Sequence, residues 1–430
     1  MIKTKYGQIE GISKEMCHIY LGIPYAKPPV GKLRWHAPEK PDSWEEILEA
    51  KEFPNRCPQE EGEDGSFYQK EFFNDPLYLP PSSEDCLYLN IWAPKEPSNC
   101  PVAIWFHGGA LQAGYNSEKE IDGEGYAKRG IILVSVNYRL GIFGYFAHPE
   151  LKKRDGESGN YGFLDQIAAI DWVIENIGDF GGDARNITIF GQSAGGISIR
   201  ALCTSPLVNG KVKNAIIQSG GGYISTFPAG ASAKRLEKAG EKFLKNHNMT
   251  LQNFYSLSSD ELVKFGKELN QKSLVTARSL IPLGTVADGY ALIESFNKAV
   301  RLGHIARINY LIGFNKNDLE GKKVNRHLHS IQNKIRCSSL RFAQRLQKMG
   351  IPCHAYYFKR QMPGDDSGAF HSAELWYMFG TWRRCWRPLT EADGVLSEKM
   401  MDAWAEFMRT GNVGWSESTV KVWDVEEEGD

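Results

Sequence analysis

The chain has 430 residues, of which 42% are hydrophobic, so it is long enough to bury a large core. Its 51 lysines and arginines nearly balance its 52 aspartates and glutamates, giving a formal net charge of −1. This balance argues against nucleic acid and against an anionic membrane surface as partners. No apolar run approaches the ~20 residues that span a bilayer, and residues 1–7 lack the apolar centre of a signal peptide. We therefore expect a soluble, cytoplasmic protein.

The spacing of cysteine and histidine gives no motif for a metal or a cofactor. The eight cysteines form no C-x-x-C pair, and no H-E-x-x-H motif is present. Eight cysteines in a chain of this length also do not make a disulfide scaffold. We therefore predict chemistry carried by side chains alone, with no metal and no cofactor.

Six short apolar runs predict the strands of a buried sheet. They are residues 101–106, 131–136, 186–190, 215–218, 310–313 and 353–358. Between them, residues 165–174 carry apolar side chains at helical spacing. This alternation predicts an α/β fold with a mostly parallel, doubly wound central sheet flanked by helices, as a single domain over residues 1–430.

A glycine-rich turn, H-G-G-A at residues 107–110, follows the first of these runs. Small residues let the backbone come close to a substrate, so that N–H groups stabilise an oxygen that becomes negative during reaction. A turn that binds nothing is the alternative. That alternative does not explain why the turn lies between a core strand and a further glycine, Gly114.

A second glycine-flanked motif, G-Q-S-A-G at residues 191–195, follows the third run and opens a predicted helix. This strand–turn–helix context is what a nucleophile elbow requires, with Ser193 strained and exposed above the sheet. The glycines must be small because the turn is sharp and the helix packs close to the strand. We predict Ser193 as the nucleophile and Gly109, Ala110 and Ala194 as the N–H donors of an oxyanion hole.

Residues 225–285 are more polar than their surroundings and prone to form helices. We interpret them as an inserted, reduced helical cap over the sheet. Ordinary helices flanking the sheet are the alternative, and the pattern favours neither.

A nucleophilic serine needs a general base, and in a fold with this elbow the histidine comes last in the chain. His371 follows the run 353–358 on a glycine-containing loop and has this order. His354 lies inside that run, and His304 precedes any candidate for the acid. We therefore predict His371 as the base.

The acid that orients the histidine should follow the strand predicted at residues 310–313. Asp318 and Glu320 both lie in the loop after this run. Either carboxylate could accept the imidazole N–H, so the chemistry does not separate them.

Several further blocks resemble the type-B carboxylesterases, a family that also includes the cholinesterases. The most recognisable is S-E-D-C-L-Y-L-N-I-W at residues 83–92, and G-I-P-Y-A stands at residues 22–26. N-Y-R-L-G at residues 137–141 and F-G-G-D at residues 180–183 are also similar. The resemblance covers nearly the whole chain. It implies the α/β-hydrolase fold and hydrolysis of carboxylic esters, in a short member of bacterial type.

The resemblance implies Ser193 as nucleophile and His371 as base, because the family's histidine lies in a similar G-x-x-H-x-x-E-L block. The family's acid lies five residues after a glycine, and the same offset from Gly313 reaches Asp318. The resemblance therefore favours Asp318. Glu320, with a glycine after it, imitates the family's E-G pair but would need a two-residue insertion, and it stays the alternative.

The resemblance also implies three pairings that support the fold rather than act in it. One is a cysteine pair, Cys57 with Cys86, which is reduced if the protein is cytoplasmic. The other two are buried ion pairs, Arg34 with Glu84 and Arg139 with Asp165.

The chain also departs from the family. It is shorter in its helical segments, which predicts a more open pocket than that of the cholinesterases. Gln192 stands where many members have glutamate, so one attraction for cationic substrates is missing. The aromatic residues Phe67, Tyr68, Phe72 and Phe73 either line the pocket or pack on one another.

We therefore predict hydrolysis of a small-molecule carboxylic ester through an acyl-enzyme. His371 takes the proton of Ser193, an oxyanion forms against the three N–H groups, and water then releases the acid. The alternatives are a non-catalytic binding or adhesion protein on this fold, and an amidase or acyltransferase that uses the same triad. The natural ester and the oligomeric state stay open.

Overall fold

A computed structural model describes residues 1–430 apart from 63–64, 157, 226–228, 276–282, 319–325 and 426–430. Its strands, in chain order, are β1 (Ile2–Thr4), β2 (Gly7–Glu10), β3 (Ile12–Ser13), β4 (Cys17–Pro24), β5 (Leu48–Glu49), β6 (Tyr88–Pro94), β7 (Cys100–Phe106), β8 (Ile132–Val136), β9 (Gly182–Gln192), β10 (Asn214–Gln218), β11 (Ala231–Ser232), β12 (Val286–Ala287), β13 (Asn309–Asn315), β14 (Cys353–Phe358) and β15 (Val420–Trp423).

The α-helices are α1 (Phe67–Phe72), α2 (Glu124–Lys128), α3 (Gly141–Tyr145), α4 (Pro149–Asp155), α5 (Tyr161–Asn176), α6 (Ala194–Leu202), α7 (Ala233–Asn246), α8 (Leu251–Tyr255), α9 (Ser259–Val275), α10 (Phe296–Leu302), α11 (Arg326–Lys348), α12 (Leu375–Met378) and α13 (Glu391–Thr410). Among the described residues, no helix is long and apolar enough to cross a membrane.

One large sheet of ten strands organises the fold, in the order β15-β14-β13-β10-β9-β7-β8-β6-β4-β3. The strands from β15 to β8 run parallel to their neighbours. β6, β4 and β3 continue the sheet antiparallel at its N-terminal edge. All six predicted strands are present, and the expectation of a mostly parallel sheet is confirmed. The antiparallel edge is a feature that the apolar runs did not indicate.

The sheet is covered on both faces because successive side chains of a strand point to opposite sides. Ile189 and Ile217 belong to one hydrophobic cluster, which α5 and α6 help to fill. Their neighbours Phe190 and Ile216 belong to the opposite cluster, which receives Trp404 and other side chains of α13. The strands are therefore apolar along their whole length, and helices flank both faces of the sheet, as predicted.

Helices α7 to α9 occupy the segment predicted as a cap. They pack against the N-terminal part of the chain, where the ring of Trp35 stacks on Phe254 at 5.4 Å and meets Tyr255 edge-on. Arg34 Nη1 donates a hydrogen bond to the Tyr255 carbonyl oxygen at 2.7 Å. The predicted helices are thus present, whereas their role as a cap, and the single domain that includes them, stay predictions.

Candidate active site

The nucleophile elbow predicted around Ser193 lies between β9 and α6. β9 ends at Gln192, α6 begins at Ala194, and Ser193 between them has φ 56° and ψ −120°. A non-glycine residue at positive φ is strained, and such strain persists only where the surroundings over-determine it. Here the Ser193 N–H donates to the Gln218 carbonyl oxygen at 2.8 Å, which ties the turn to the end of β10.

Two glycines allow this turn because neighbouring backbone lies where a side chain would stand. A Cβ added to Gly195 would lie 2.0 Å from the carbonyl oxygen of Phe106, the last residue of β7. A Cβ added to Gly191 would lie 2.7 Å from the same oxygen and 2.6 Å from Gly195 C. The close approach of α6, β9 and β7 therefore explains both glycines of the motif.

The H-G-G-A turn follows β7 and lies beside the elbow. A Cβ built on Gly108 would be 3.3 Å from the Ser193 Cβ. Gly109, Ala110 and Leu111 all have positive φ, and the N–H groups of Gln112 and Ala113 both donate to the Gly109 carbonyl oxygen at 2.9 Å. The turn is thus closed on itself in an unusual, left-handed conformation.

Within the part of the chain that the structure describes, the three N–H groups predicted for the oxyanion hole have no other partner. Gly109 and Ala110 are exposed, and their N–H groups donate to no other described residue. Ala194 is the first residue of α6, so its N–H has no partner within the helix. These donors are free to bind a negative oxygen beside Ser193.

His371 and Asp318 meet at the same edge of the sheet, where β13 and β14 end. Nδ1 of His371 donates to Oδ1 of Asp318 at 2.7 Å, and both side chains are buried. Oδ2 of Asp318 accepts from the backbone N–H of Asn315 at 2.8 Å and from Ser219 Oγ at 3.1 Å. The carboxylate is therefore fixed by three hydrogen bonds. Glu320, the alternative acid, lies outside the described residues.

The two loops that carry Asp318 and His371 are joined directly. The backbone N–H of Asn317 donates to the Ala369 carbonyl oxygen at 3.0 Å. In return, the N–H of Ala369 donates to Asn317 Oδ1, also at 3.0 Å. This reciprocal pair fixes the distance between the carboxylate and the imidazole.

A second buried carboxyl group, Glu374, lies near this pair. Asn315 Nδ2 donates to Glu374 Oε2 at 2.5 Å, and the side chain is fully buried. Burial raises the pKa of Glu374 to about 7, and the charge of Asp318 adds to the effect. The surroundings of His371 therefore include one fixed acceptor and one group that titrates near neutrality.

Comparison with known proteins shows the family of the chain. A family model described as the carboxylesterase family matches residues 1–333 and 320–427. The chain belongs to the carboxylesterase family. It is 32% identical to the para-nitrobenzyl esterase of Bacillus subtilis (strain 168), with 96% of this chain and 90% of that one covered. It is 30% identical to carboxylesterase 4A of Bos taurus, with 95% and 86% covered.

Solved structures give the same result for the fold. A thermophilic PNB esterase superposes with a TM-score of 0.87 at 29% identity, covering 99% of this chain and 96% of that one. The fold of this family member is thus the α/β-hydrolase fold, as predicted. The esterases among its relatives identify the chain as a carboxylic ester hydrolase.

Two polar residues around the acid were not found by sequence reasoning. Ser219 is the first residue after β10, and Asn315 is the last residue of β13. The positions were available, because residues at the carboxyl ends of adjacent parallel strands lie close together. What the sequence lacked was the strand order, which places β10 beside β13.

The aromatic residues of α1 pack against the two sides of the histidine loop. Phe67 meets Phe370 edge-on at 5.0 Å, and Phe72 stacks on Trp376 at 5.3 Å. Of the two alternatives from sequence, packing within an aromatic cluster describes Phe67 and Phe72. The cluster supports the segment that carries His371.

The pairings implied by the family resemblance are also present. Arg139 Nη2 lies 2.7 Å from Asp165 Oδ1, both fully buried, and Arg34 Nη2 lies 2.5 Å from Glu84 Oε1. Cys57 and Cys86 are buried, neighbouring free thiols. The hydrogen bond with Cys57 and burial raise the pKa of Cys86, so its thiol stays protonated.

Proposed function

We propose that this family member hydrolyses carboxylic esters through an acyl-enzyme formed on Ser193. His371 Nε2 takes the Ser193 proton as Oγ attacks the ester carbonyl carbon, and the oxyanion binds the N–H groups of Gly109, Ala110 and Ala194. His371 then gives the proton to the leaving alcohol. Water repeats the cycle with His371 as base and releases the acid.

Asp318 is the acid of this proposal. Its Oδ1 accepts the Nδ1–H of His371, so Nε2 keeps the lone pair that a general base needs. It also stabilises the imidazolium that forms when the Ser193 proton is taken. The hydrogen bond at 2.7 Å is the observation that carries the proposal, because it joins base and acid at the edge of the sheet where the half-buried Ser193 lies.

The non-catalytic alternative has less support. A protein that only binds partners through this fold does not require free N–H donors beside a strained serine and a paired histidine. An amidase or acyltransferase would use the same groups and differ only in the leaving group or the acceptor, and no contact of the described residues favours it.

The decisive experiment removes the nucleophile. We expect Ser193→Ala to lower turnover of p-nitrophenyl acetate by about 10⁶ while leaving the circular dichroism spectrum unchanged. Ser198→Ala is the matched control, since it removes a buried hydroxyl of α6 that accepts from Gln166 Nε2 at 3.0 Å. We expect the control to hydrolyse the ester normally.

Retention of near wild-type turnover by purified Ser193→Ala would reject the nucleophile. A pre-steady-state burst of p-nitrophenol, equal to the enzyme concentration, tests the acyl-enzyme separately. The intermediate would be rejected if the serine-dependent reaction showed no burst and if an added nucleophile other than water also failed to trap an acyl group.

A further inference from the structure

Gln192 lies between the H-G-G-A turn after β7 and His371, the proposed base. It is the last residue of β9 and is only 2% exposed. Its Nε2 lies 3.3 Å from Nε2 of His371. On its other side, its Oε1 lies 3.2 Å from the position that a Cβ on Gly108 would take. The amide therefore bridges the two parts of the site without reaching solvent.

The direction of the hydrogen bond between these two nitrogens follows from the other side of the ring. Since Nδ1–H donates to Asp318, the neutral imidazole carries its lone pair on Nε2. The amide nitrogen is only a donor, so it donates to that lone pair. This is the same lone pair that accepts the Ser193 proton in the proposed reaction.

A donor at this position has a definite electrostatic effect. An N–H aimed at Nε2 stabilises the neutral imidazole, and it has nothing to offer the N–H of an imidazolium. A carboxylate at the same position would do the opposite, because it accepts from the imidazolium and attracts its charge. Residue 192 thus biases the charge state of His371 through direct contact.

We propose that Gln192 is a positioning residue that donates to the Nε2 lone pair of His371 in the resting enzyme and yields Nε2 to Ser193 once substrate fills the site. The inference deepens the proposed function, on which it rests for the role of His371. It assigns to Gln192 the orientation and the availability of the base's lone pair. It also explains why the amide is buried, since water would replace His371 as the hydrogen-bond partner of a solvated glutamine.

The other ionisable groups around the imidazole come from four parts of the chain. Asp318, after β13, accepts from Nδ1. Glu374 lies three residues after His371 in the chain, and burial raises its pKa to about 7. Tyr68 of α1 and Tyr356 of β14 interact with both carboxyl groups, and burial raises the pKa of the Tyr356 phenol, so it stays neutral. Glu374 is therefore the group whose titration must be separated from that of His371.

Nuclear magnetic resonance of histidine labelled with ¹⁵N tests the contact without turnover. We would titrate His371 in Ser193→Ala protein, assign its signal by its loss in His371→Gln, and compare Gln192→Glu and Gln192→Met on the same background. We expect the midpoint of His371 protonation to rise by about one pH unit or more with glutamate, and by less with methionine, which only removes the donor. Repeating the series with Glu374→Gln removes the second titrating carboxyl.

The matched control is Gln166→Glu, which makes the same chemical change at another fully buried glutamine, on α5. It should leave the His371 midpoint unchanged. Superimposable titrations of Gln192→Glu, Gln192→Met and the parent protein would overturn the inference.

Hydrolysis gives the second readout. In enzymes that keep Ser193, the acid limb of the pH profile of kcat/KM should shift to higher pH, and Gln192→Glu should shift it more than Gln192→Met. Failure of the wild-type chain to hydrolyse any ester would reject the proposed function, yet the resonance titration would still decide the contact of Gln192 with His371. A shifted resonance midpoint with an unshifted kinetic limb would overturn the claim that this contact sets the availability of the base.

Discussion

The two halves of the candidate site are built by different means. On the nucleophile side, backbone does the positioning: a positive φ at Ser193, glycines pressed against the Phe106 carbonyl oxygen, and a left-handed turn after β7. On the acid–base side, buried side chains position one another through the hydrogen bonds of Asp318, Asn315 and Glu374. Steric changes should therefore damage the first half, and changes of charge the second.

Among the changes that test this division, the largest effect is expected from Asp318→Asn. An amide at this position no longer fixes the Nδ1–H tautomer of His371 or stabilises the imidazolium, so kcat should fall by about 10⁴ while the fold is kept. Steady-state hydrolysis of p-nitrophenyl acetate at saturation measures kcat, and circular dichroism checks the fold.

Glu320→Gln is the control for this change, and it should stay active because a loop carboxylate outside the triad usually contributes within about 0.5 kcal/mol. The reverse pattern would move the acid to Glu320 and indicate a two-residue insertion in the loop. Full activity of both variants would mean that the acid comes from another part of the chain.

A smaller loss is expected from a purely steric change on the nucleophile side, Gly195→Ala. The new Cβ would lie 2.0 Å from the Phe106 carbonyl oxygen, so α6 must move away from β7 and carry Ser193 with it. A displacement of about 1 Å in a catalytic group costs about 10² in rate. We expect kcat/KM to fall by that order and the melting temperature to fall as well.

Gly178→Ala provides the comparison for Gly195→Ala, because no heavy atom lies within 4 Å of its added Cβ. It should match the wild type in both activity and melting temperature. If Gly195→Ala were equally harmless, the close packing of α6 on β7 would not be what positions the serine.

The smallest effect concerns pH and stability through Glu374→Gln. Burial raises the pKa of Glu374 from the usual 4.5 to about 7. Between these values the native state binds more protons than the unfolded state, so the free energy of unfolding falls as pH rises from 4.5 to about 7. Glutamine stays neutral, and urea unfolding of the variant should show a flatter dependence on pH over this interval.

Glu118→Gln separates stability from chemistry in this test. Burial also raises the pKa of Glu118 to about 7, but its side chain accepts from the Tyr115 N–H rather than from a residue at the triad. Both variants should flatten the stability curve. Only Glu374→Gln should move the acid limb of kcat/KM, to lower pH, because it removes a carboxyl group beside His371. A shift of the limb in Glu118→Gln would contradict this division.

The same division explains how far the sequence could predict the site. The elbow was predictable because its strand, glycines and helix are contiguous in residues 186–202, and the requirements of the turn are local. The sequence could not decide between Asp318 and Glu320 as the acid, since the two are only two residues apart and only contact with His371 distinguishes them. Ser219 carried no local signal, because its partner lies about 100 residues away in the chain.

The parallel pairing of β10 with β13 ties the site to a contact between distant parts of the chain. Gln218 pairs with Gly313, so the strands meet only after about 90 residues of intervening chain have been looped out. Contacts of such sequence separation form late, because loop closure must precede the interactions that repay it. The elbow also depends on a distant strand, because Gly191 and Gly195 pack against the Phe106 carbonyl oxygen of β7, about 85 residues earlier in the chain. Both halves of the site therefore depend on strand pairing across long stretches of chain, so the site is complete only once the central sheet has formed.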